Sequence, residues 1–330
     1  MPQSVAIIGA GVSGLTCGVV FAERGYRTEI FAEEIVLRTT SAAAGALWYP
    51  YDTGPVDAVT AWALQSYQIF LELSQKPDTG VSMIELRTFS RTGEIQIPTW
   101  AVPLGARRLD SSALATGLRP VPSGAQPLTT PPTFRSGFAM TVPLMDTTIY
   151  LDYLVKRFRE AGGLLDGNVH LEKLEEIGSG FELVINCSGI GAKRLVPDPD
   201  LEPHRGQVAI VAKLDMSCAI VCDDPPLMYA IPRAQDCVFG GTNEVSDNPD
   251  GDPAETERIV AECGRVLNIE VPKILTTRVG LRPFRKSGVC LRADRLRDGR
   301  PVLHNYGHGG AGFTLSWGCA QRVFDLAGAL

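Results

Sequence analysis

The sequence predicts an α/β protein in which a parallel strand–helix unit is interleaved with a second, α+β unit built on a large, mostly antiparallel sheet. Three observations predict it. Residues 4–32 read strand, glycine loop, helix, strand. Residues 301–330 repeat the order strand, glycine loop, helix. Between them, short apolar runs are punctuated by proline and polar turns, the pattern of antiparallel strands.

Val5-Ala6-Ile7-Ile8 is an uninterrupted apolar run ending at Gly9, as in a strand buried on both faces. Residues 12–24 place Leu15, Val19 and Ala22 along one helical face, and Arg27 to Ala32 returns as a strand with Ile30 and Phe31 apolar. From Asp52 to Val142 prolines and short turns surround one helical stretch near 57–75, and the region reads as a separate β-rich unit. Residues 119–135 hold five prolines and are expected to form an extended connection. Asp146 to Ala161 is an amphipathic helix with Ile149, Tyr153, Leu154 and Phe158 on its apolar stripe. Phe181 to Asn186 is a short buried strand ending at Cys187-Ser188-Gly189. Residues 206–242 contain GQVAIVAKL, LMYAIP and DCVFGGT, which read as antiparallel strands. Glu255 to Leu267 is a helix with Ile259, Val260 and Cys263 apolar. Thr276 to Leu281 and Pro301 to Tyr306 are strand-like, and Phe313 to Leu330 is a final helix carrying Leu315, Ala320, Val323, Phe324 and Ala327.

The 330 residues carry 31 Lys+Arg against 37 Asp+Glu, a formal charge of -6, which leaves no basic footprint for nucleic acid. Hydrophobic residues make up 45% and charged residues 21%, which supports a sizeable core. Eight cysteines are too sparse for a disulfide scaffold, and none forms a C-x-x-C pair, which argues against zinc-ribbon and thioredoxin chemistry. Whether Cys237 and Cys290, both in strand-rich stretches, pair with each other is open. Residues 4–22 carry no charge. No basic segment precedes them, Glu23, Arg24 and Arg27 follow at once, and glycines interrupt them, so neither a signal nor a membrane span is expected. The expected location is cytoplasmic, since the C-terminal Ala-Gly-Ala-Leu is not a peroxisomal address.

Gly9-Ala10-Gly11-Val12-Ser13-Gly14 has the spacing G-x-G-x-x-G between a strand and a helix, a Rossmann-type phosphate-binding turn. Its first glycine permits the tight turn, its second lets a pyrophosphate approach the backbone, and its third lets helix and strand pack closely. The helix start adds N–H groups and a partial positive charge. Glu33, at the end of the next strand, suits a ribose diol, with Glu34 as the neighbouring option. An acid there disfavours a 2′-phosphate and hence NADP. Between FAD and NAD the motif does not choose.

The run from Val302 through His304-Asn305-Tyr306-Gly307-His308 to Gly312 is again strand, glycine loop and helix, with no coding acid after it. Its helix start offers the N–H groups of Gly312, Phe313 and Thr314 to an anion. A metal on His304 and His308 is disfavoured, because glycines break the helix that an i, i+4 pair needs and no carboxylate is near. Arg282 ends a strand-like run and has the fork geometry for a carboxylate, with a solvated basic turn as the alternative. Tyr229 is either a core aromatic or a ligand-facing phenol.

Together these segments resemble the D-amino-acid oxidases. Residues 302–320 follow that family's C-terminal signature throughout. GAGVSGL, the Thr39-Thr40-Ser41 to Pro50 stretch with Gly45, Leu47 and Trp48, Asn186-Cys187-Ser188-Gly189, Arg205-Gly206-Gln207, Tyr229-Ala230-Ile231-Pro232 and Gly280-Leu281-Arg282-Pro283 follow it in order. The resemblance covers essentially the whole chain.

It implies an FAD-binding domain from residues 1–50, 136–195 and 291–330, and a substrate-binding domain from 51–135 and 196–290. It implies oxidative deamination of D-amino acids to 2-oxo acids, ammonia and H2O2, with a hydride passing from the substrate Cα to flavin N5 and O2 reoxidising the flavin. Arg282 and Tyr229 take the family's carboxylate-binding positions, and the Gly310 carbonyl takes the position that orients the amine. The cofactor site is expected at the glycine loop with Ala10, Val12 and Ser13, at Glu33 and Glu34, at Thr40, Ser41, Gly45, Ala46 and Leu47, at Leu171 near the adenine, at Ser188 and Gly189, and at Gly309, Gly312, Phe313 and Thr314. The family's second active-site tyrosine is missing from both usual places, the stretch Cys222-Asp223-Asp224-Pro225-Pro226 and the pair Asn243-Glu244, which leaves Tyr49 as a candidate. The short 222–226 stretch also argues against a long lid. Asp223, Asp224 and Glu244 near the inferred mouth make the local charge mixed or acidic, so neutral or apolar substrates are preferred. The alternatives are a D-aspartate oxidase, for which Arg233 and Arg285 would supply basic groups, a glycine or sarcosine oxidase, an NAD-binding dehydrogenase and a noncatalytic flavoprotein. The expected partners are a D-amino acid and O2, with a homodimer as the candidate assembly.

Overall fold

The computed structural model describes residues 3–51, 53–110, 113–114 and 134–330. The five-proline connection expected at 119–135 therefore lies, apart from residues 134 and 135, outside the described residues.

The chain opens with β1 (Ser4–Ala10), α1 (Val12–Ala22) and β2 (Arg27–Ile35), then α2 (Val56–Leu73), β3 (Val81–Ser90), β4 (Arg107–Arg108) and β5 (Ser136–Met145). It continues with α3 (Thr147–Glu160), β6 (Leu164–Gly167), β7 (Leu183–Asn186), β8 (Leu201–Ala212), β9 (Cys218–Cys222), β10 (Met228–Pro232), β11 (Asp236–Gly240) and β12 (Glu244–Val245). It closes with α4 (Pro253–Leu267), β13 (Ile274–Arg285), β14 (Cys290–Arg295), β15 (Pro301–Tyr306) and α5 (Gly312–Gly328).

One sheet has six strands in the order β14-β15-β7-β1-β2-β6, parallel except for the β14–β15 hairpin. β1 lies inside it and buries both faces: Val5 and Ile7 share a core with Leu15 of α1 and Leu315 of α5, while Ala6 and Ile8 pack with Val184 and Val302. That explains its uninterrupted apolar run. The charge-free stretch at 4–22 is thus an inner strand followed by an inner helix, almost every residue of which is buried. At 1.5 Å per residue α1 spans about 16 Å, roughly half a bilayer's hydrocarbon core. Among the described residues no helix is long and apolar enough to cross a membrane. α5 presses on α2 so closely that a Cβ at Gly318 would overlap the Trp62 backbone, and the Gly318 N–H donates to Ser66 Oγ at 2.9 Å.

The other sheet has nine strands, in the order β12-β8-β11-β10-β9-β3-β5-β4 with β13 also paired to β8. Only β3–β9 is parallel. α4 covers one face, packing Ile259, Val260 and Cys263 against Met228, Ala230 and Phe239. Its start is set by Asp252, whose side chain accepts from the N–H groups of Ala254 and Glu255, and by Pro253 in the first turn. The opposite face forms the floor of the cavity described below.

Several expectations change. Residues 136–145, assigned above to the cofactor unit, form β5 of the nine-stranded sheet, because a ten-residue register with β3 holds them there. The buried stripe of α3 is Tyr150, Leu151, Leu154 and Phe158, while Ile149 is 36% exposed and Tyr153 only half-buried. The arc is rotated because α3 packs on α1 and also presents Tyr150 to α5, where Trp317 Nε1–H donates to the phenol at 2.9 Å. Cys237 and Cys290 do not pair: they lie in different sheets, and all eight cysteines are free and buried.

Candidate active site

A cavity of about 780 Å³ runs from the Gly9–Ser13 loop to the face of the nine-stranded sheet opposite α4. Glycine at position 9 is required, because φ is +105° and a Cβ would meet the Cys187 carbonyl at 2.5 Å. Gly14 does not line the cavity. It lies under the Gly9 carbonyl, where any side chain would clash, and so seats α1 on the turn. The first N–H of the helix, Val12 N, donates to Ser41 Oγ at 2.9 Å, so Ser41 couples the 40–47 segment to the loop. Thr40, Gly45, Ala46 and Leu47 from that segment also line the cavity.

The C-terminal motif closes on the same loop. Asn305 Nδ2 donates to Ser13 Oγ at 3.0 Å, and Asn305 Oδ1 lies 3.1 Å from His308 Nε2. His308 and His304 are buried, and burial lowers both to about 4, so neither ring is charged at neutral pH. Asn186 Nδ2 lies 3.3 Å from His304 Nδ1. These rings brace the junction, and among the described residues no group of His, Cys, Asp or Glu could hold a metal. Gly309, Gly310, Gly312 and Phe313 line the cavity. Thr314 does not: its Oγ1 accepts from Tyr49 N–H and donates to the Tyr49 carbonyl, both at 3.0 Å, tying Tyr49 to the start of α5.

At the far end of the loop Glu33, Glu34 and Leu171 line the cavity. Glu33 Oε1 lies 2.9 Å from His170 Nδ1, and Glu33 Oε2 lies 3.3 Å from Arg194 Nη2. The His170 hydrogen bond, reinforced by Arg194, holds this carboxyl below its ordinary range. Glu34 pairs with Arg38 at 2.7 Å on the exposed surface. The Leu171 carbonyl accepts from Arg194 Nη2 at 3.3 Å. Ser188 Oγ donates to Asn186 Oδ1 at 2.6 Å, and Gly189 follows with φ +57°.

The other wall belongs to the nine-stranded sheet, where every second residue faces the cavity. β3 supplies Leu86 and Thr88, β9 supplies Val221 with Asp223 just beyond it, and β10 supplies Tyr229 and Ile231. β13 supplies Gly280 and Arg282. The Tyr229 ring lies across its register partner Gly240, and the Arg282 guanidinium lies across Gly206, where in each case a Cβ would overlap the side chain. Arg282 Nη1 donates to the Thr242 carbonyl at 2.8 Å and to Asn243 Oδ1 at 3.3 Å. Asn243 Nδ2 in turn donates to Tyr51 OH at a long 3.5 Å. Burial pushes the Tyr229 phenol up, opposed by the adjoining Arg282 charge. Tyr51 packs against Gly310, with its Cδ1 2.8 Å from where a Cβ would stand. Tyr49 also lines the cavity, and burial together with the Asp223 charge pushes its phenol up to about 12.

Arg282, Tyr229, Gly310 and Tyr49 therefore meet around one space with Asp223, which was expected near its mouth, and Tyr51 and Asn243 join them unforeseen. The signal for Asp223 was legible, since it stands two residues beyond the strand residue Val221 and so on the same face. For Tyr51 no local signal existed, because its place depends on contact with Gly310, far along the chain. Arg233 and Arg285 are absent from the lining. Arg233 is buried against Asp236 at 2.6 Å, and Arg285 pairs with Asp198 at 2.7 Å.

Residues 4–326 match the protein family described as FAD dependent oxidoreductase. The chain is 38% identical over 331 residues to a D-amino-acid oxidase of Rubrobacter xylanophilus, covering 98% of this chain and 95% of that protein. It is 37% identical to a D-amino-acid oxidase of Streptomyces coelicolor, covering 98% and 96%, and 29% identical to the D-aspartate oxidase of Homo sapiens, covering 98% and 94%. Among solved structures, the glycine oxidase from Geobacillus kaustophilus superposes with a TM-score of 0.80 at 18% identity, covering 99% of this chain and 95% of that one. That likeness speaks to the fold alone.

Proposed function

The chain belongs to the FAD dependent oxidoreductase family, and from that membership and the cavity's geometry we propose that it is a D-amino-acid oxidase, converting a D-amino acid, O2 and water to a 2-oxo acid, ammonia and H2O2. The observation that carries this reading is the convergence of one guanidinium, Arg282, and the phenols of Tyr229 and Tyr51 opposite the Gly309–Phe313 loop within the same cavity as the G-x-G-x-x-G turn. The NAD-binding dehydrogenase alternative falls with the family assignment.

The residues present fit FAD. The side-chain-free backbone at Gly9 and Gly11 leaves a cradle at the start of α1, Glu33 and the Leu171 backbone stand at the far end, and Gly312 and Phe313 open α5 at the near end. We assign the pyrophosphate to the α1 start and the ribose to Glu33. FAD, when bound, supplies the two-electron acceptor for the substrate's Cα hydride and the route by which O2 is reduced. Everything else is positioning. Arg282 and the Tyr229 phenol hold the substrate carboxylate, and the Gly310 carbonyl accepts from its amine. The phenols stay protonated at working pH, because burial raises Tyr49 and Tyr229, so they donate hydrogen bonds and do not act as bases. The apolar wall of Leu86, Val221 and Ile231 favours neutral side chains. A D-aspartate preference is disfavoured because Arg233 and Arg285 are already paired outside the cavity.

We divide the chain accordingly into a cofactor unit around the six-stranded sheet and a substrate unit around the nine-stranded sheet, with residues 136–145 moved to the latter. A cytoplasmic location and a homodimer accompany the proposal, the second checked by light scattering. The decisive experiment is anaerobic titration of the yellow holoprotein. D-Alanine is expected to bleach the flavin band and L-alanine to leave it. Bleaching by neither, or by L-alanine alone, would overturn the reading.

A further inference from the structure

One line of paired residues crosses the floor of the cavity. Tyr229 of β10 pairs with Val221 of β9, Val221 with Thr88 of β3, and Thr88 with Phe138 of β5. Tyr229, Val221 and Thr88 line the cavity. Phe138 does not: it is fully buried in a core that it shares with Leu86 and Trp48. The line of floor residues therefore ends at Thr88, which is 4% exposed. From Tyr229 to Thr88 is two strand spacings, about 9.6 Å.

The polar anchors stand at the opposite end. The Tyr229 ring leans over Gly240 of β11, with its hydroxyl beside Gly241, and the Arg282 guanidinium lies over Gly206 of β8. Both lie on the side away from Val221, because the strands run in the order β8-β11-β10-β9-β3. A substrate α-carbon has four substituents. Its carboxylate goes to Arg282 and Tyr229, its amine to the Gly310 carbonyl, and its hydrogen to the acceptor of the hydride. The side chain is the one left, and the floor of Val221 and Thr88, flanked by Leu86 and Ile231, receives it.

Resting on the assignment of D-amino-acid oxidation, we propose that Thr88 is a specificity residue: it closes the far end of the side-chain pocket and sets the length of unbranched side chain that the enzyme accepts. A smaller residue there lengthens the pocket, and methylenes buried beyond the present end add to binding. A larger one fills the space and crowds the terminal methylenes of a long substrate.

The test compares wild-type, Thr88→Ala and Thr88→Leu holoenzyme on D-norvaline and D-2-aminooctanoate, which differ only in chain length. The ratio of kcat/KM for the longer substrate to that for the shorter is expected to rise at least about threefold in Thr88→Ala and to fall at least about tenfold in Thr88→Leu. A readout without turnover is calorimetry with butanoate and octanoate, which carry the carboxylate but no α-amine. Their affinity ratio is expected to move the same way in each variant. Smaller changes, or changes of the other sign, in both ratios would overturn the proposal. Should Thr88→Leu fail to fold, as judged by loss of the flavin, Thr88→Ala decides alone. D-Alanine separates the two readings: if it does not reduce the wild-type flavin, the oxidase assignment has failed, and the carboxylate ratio still decides whether Thr88 bounds the pocket.

Discussion

Arg282 shows how one residue acquires a role. In sequence it is an arginine at a strand end, equally at home as a solvated turn. In the structure glycine at position 206 clears the floor beneath it, and the Thr242 carbonyl and Asn243 fix one of its nitrogens. Its fork is thereby held ready for a carboxylate before any substrate arrives. Replacing it with alanine leaves that carboxylate without its cation, and a loss of roughly 3–5 kcal/mol in kcat/KM is expected by analogy with truncated charge pairs. Steady-state assays with D-alanine check this, and near-normal kcat/KM in Arg282→Ala would remove Arg282 from the site. The legible part at this scale was the resemblance of GLRP and YAIP to a known pattern. Tyr51 was not legible, because only folding brings it against Gly310 and Asn243.

Elements divide the work between two sheets. β1 and β15 carry the glycine loops to one edge of the parallel sheet, while β9, β10 and β13 present Asp223, Tyr229 and Arg282 from the other sheet. Alternation along those strands made the cavity face readable once the strands were known, yet the β9 strand and its parallel pairing with β3 were not singled out, since local pattern does not specify a distant partner. The 222–226 turn was expected to be too short for a lid, and the Asp224 clamp on Ser90, Arg91 and Thr92 supplies a physical reason for it to stay put. With this turn clamped, product release is not expected to limit turnover. kcat should be independent of added viscogen, and a strong inverse dependence on viscosity, or a slow gating phase in stopped flow, would contradict this.

Across the whole molecule, both chain ends are joined at one junction. Asn305 bonds Ser13, and the buried rings of His304 and His308 lock the adjoining turns. Both rings are lowered to about 4 by burial, whereas an unperturbed imidazole titrates at 6.5. Between those values the unfolded chain takes up protons that the folded chain refuses. Stability is therefore fully present above pH 6.5 and falls as the pH is lowered towards 4, by an order of magnitude of 3 kcal/mol for each ring at the bottom of the window. Thermal melts from pH 7.5 to 4 are expected to show Tm dropping through this range, and replacing His308 by asparagine should flatten part of the drop. An unchanged slope in that variant would mean that carboxylate titration, and not the junction, governs acid stability.

The amino-acid sequence by itself determined the class of fold, the two glycine turns, the family and the residues that match it, because these depend on local periodicity and on short motifs whose backbone geometry is self-contained. The tertiary structure decided which sheet claims residues 136–145, why Cys237 and Cys290 stay apart, and which polar groups share the cavity. It withdrew Arg233 and Arg285 by pairing them elsewhere and brought in Tyr51 and Asn243. Those outcomes depend on strand order and on contacts between distant segments. Periodicity along the chain carries no information about either.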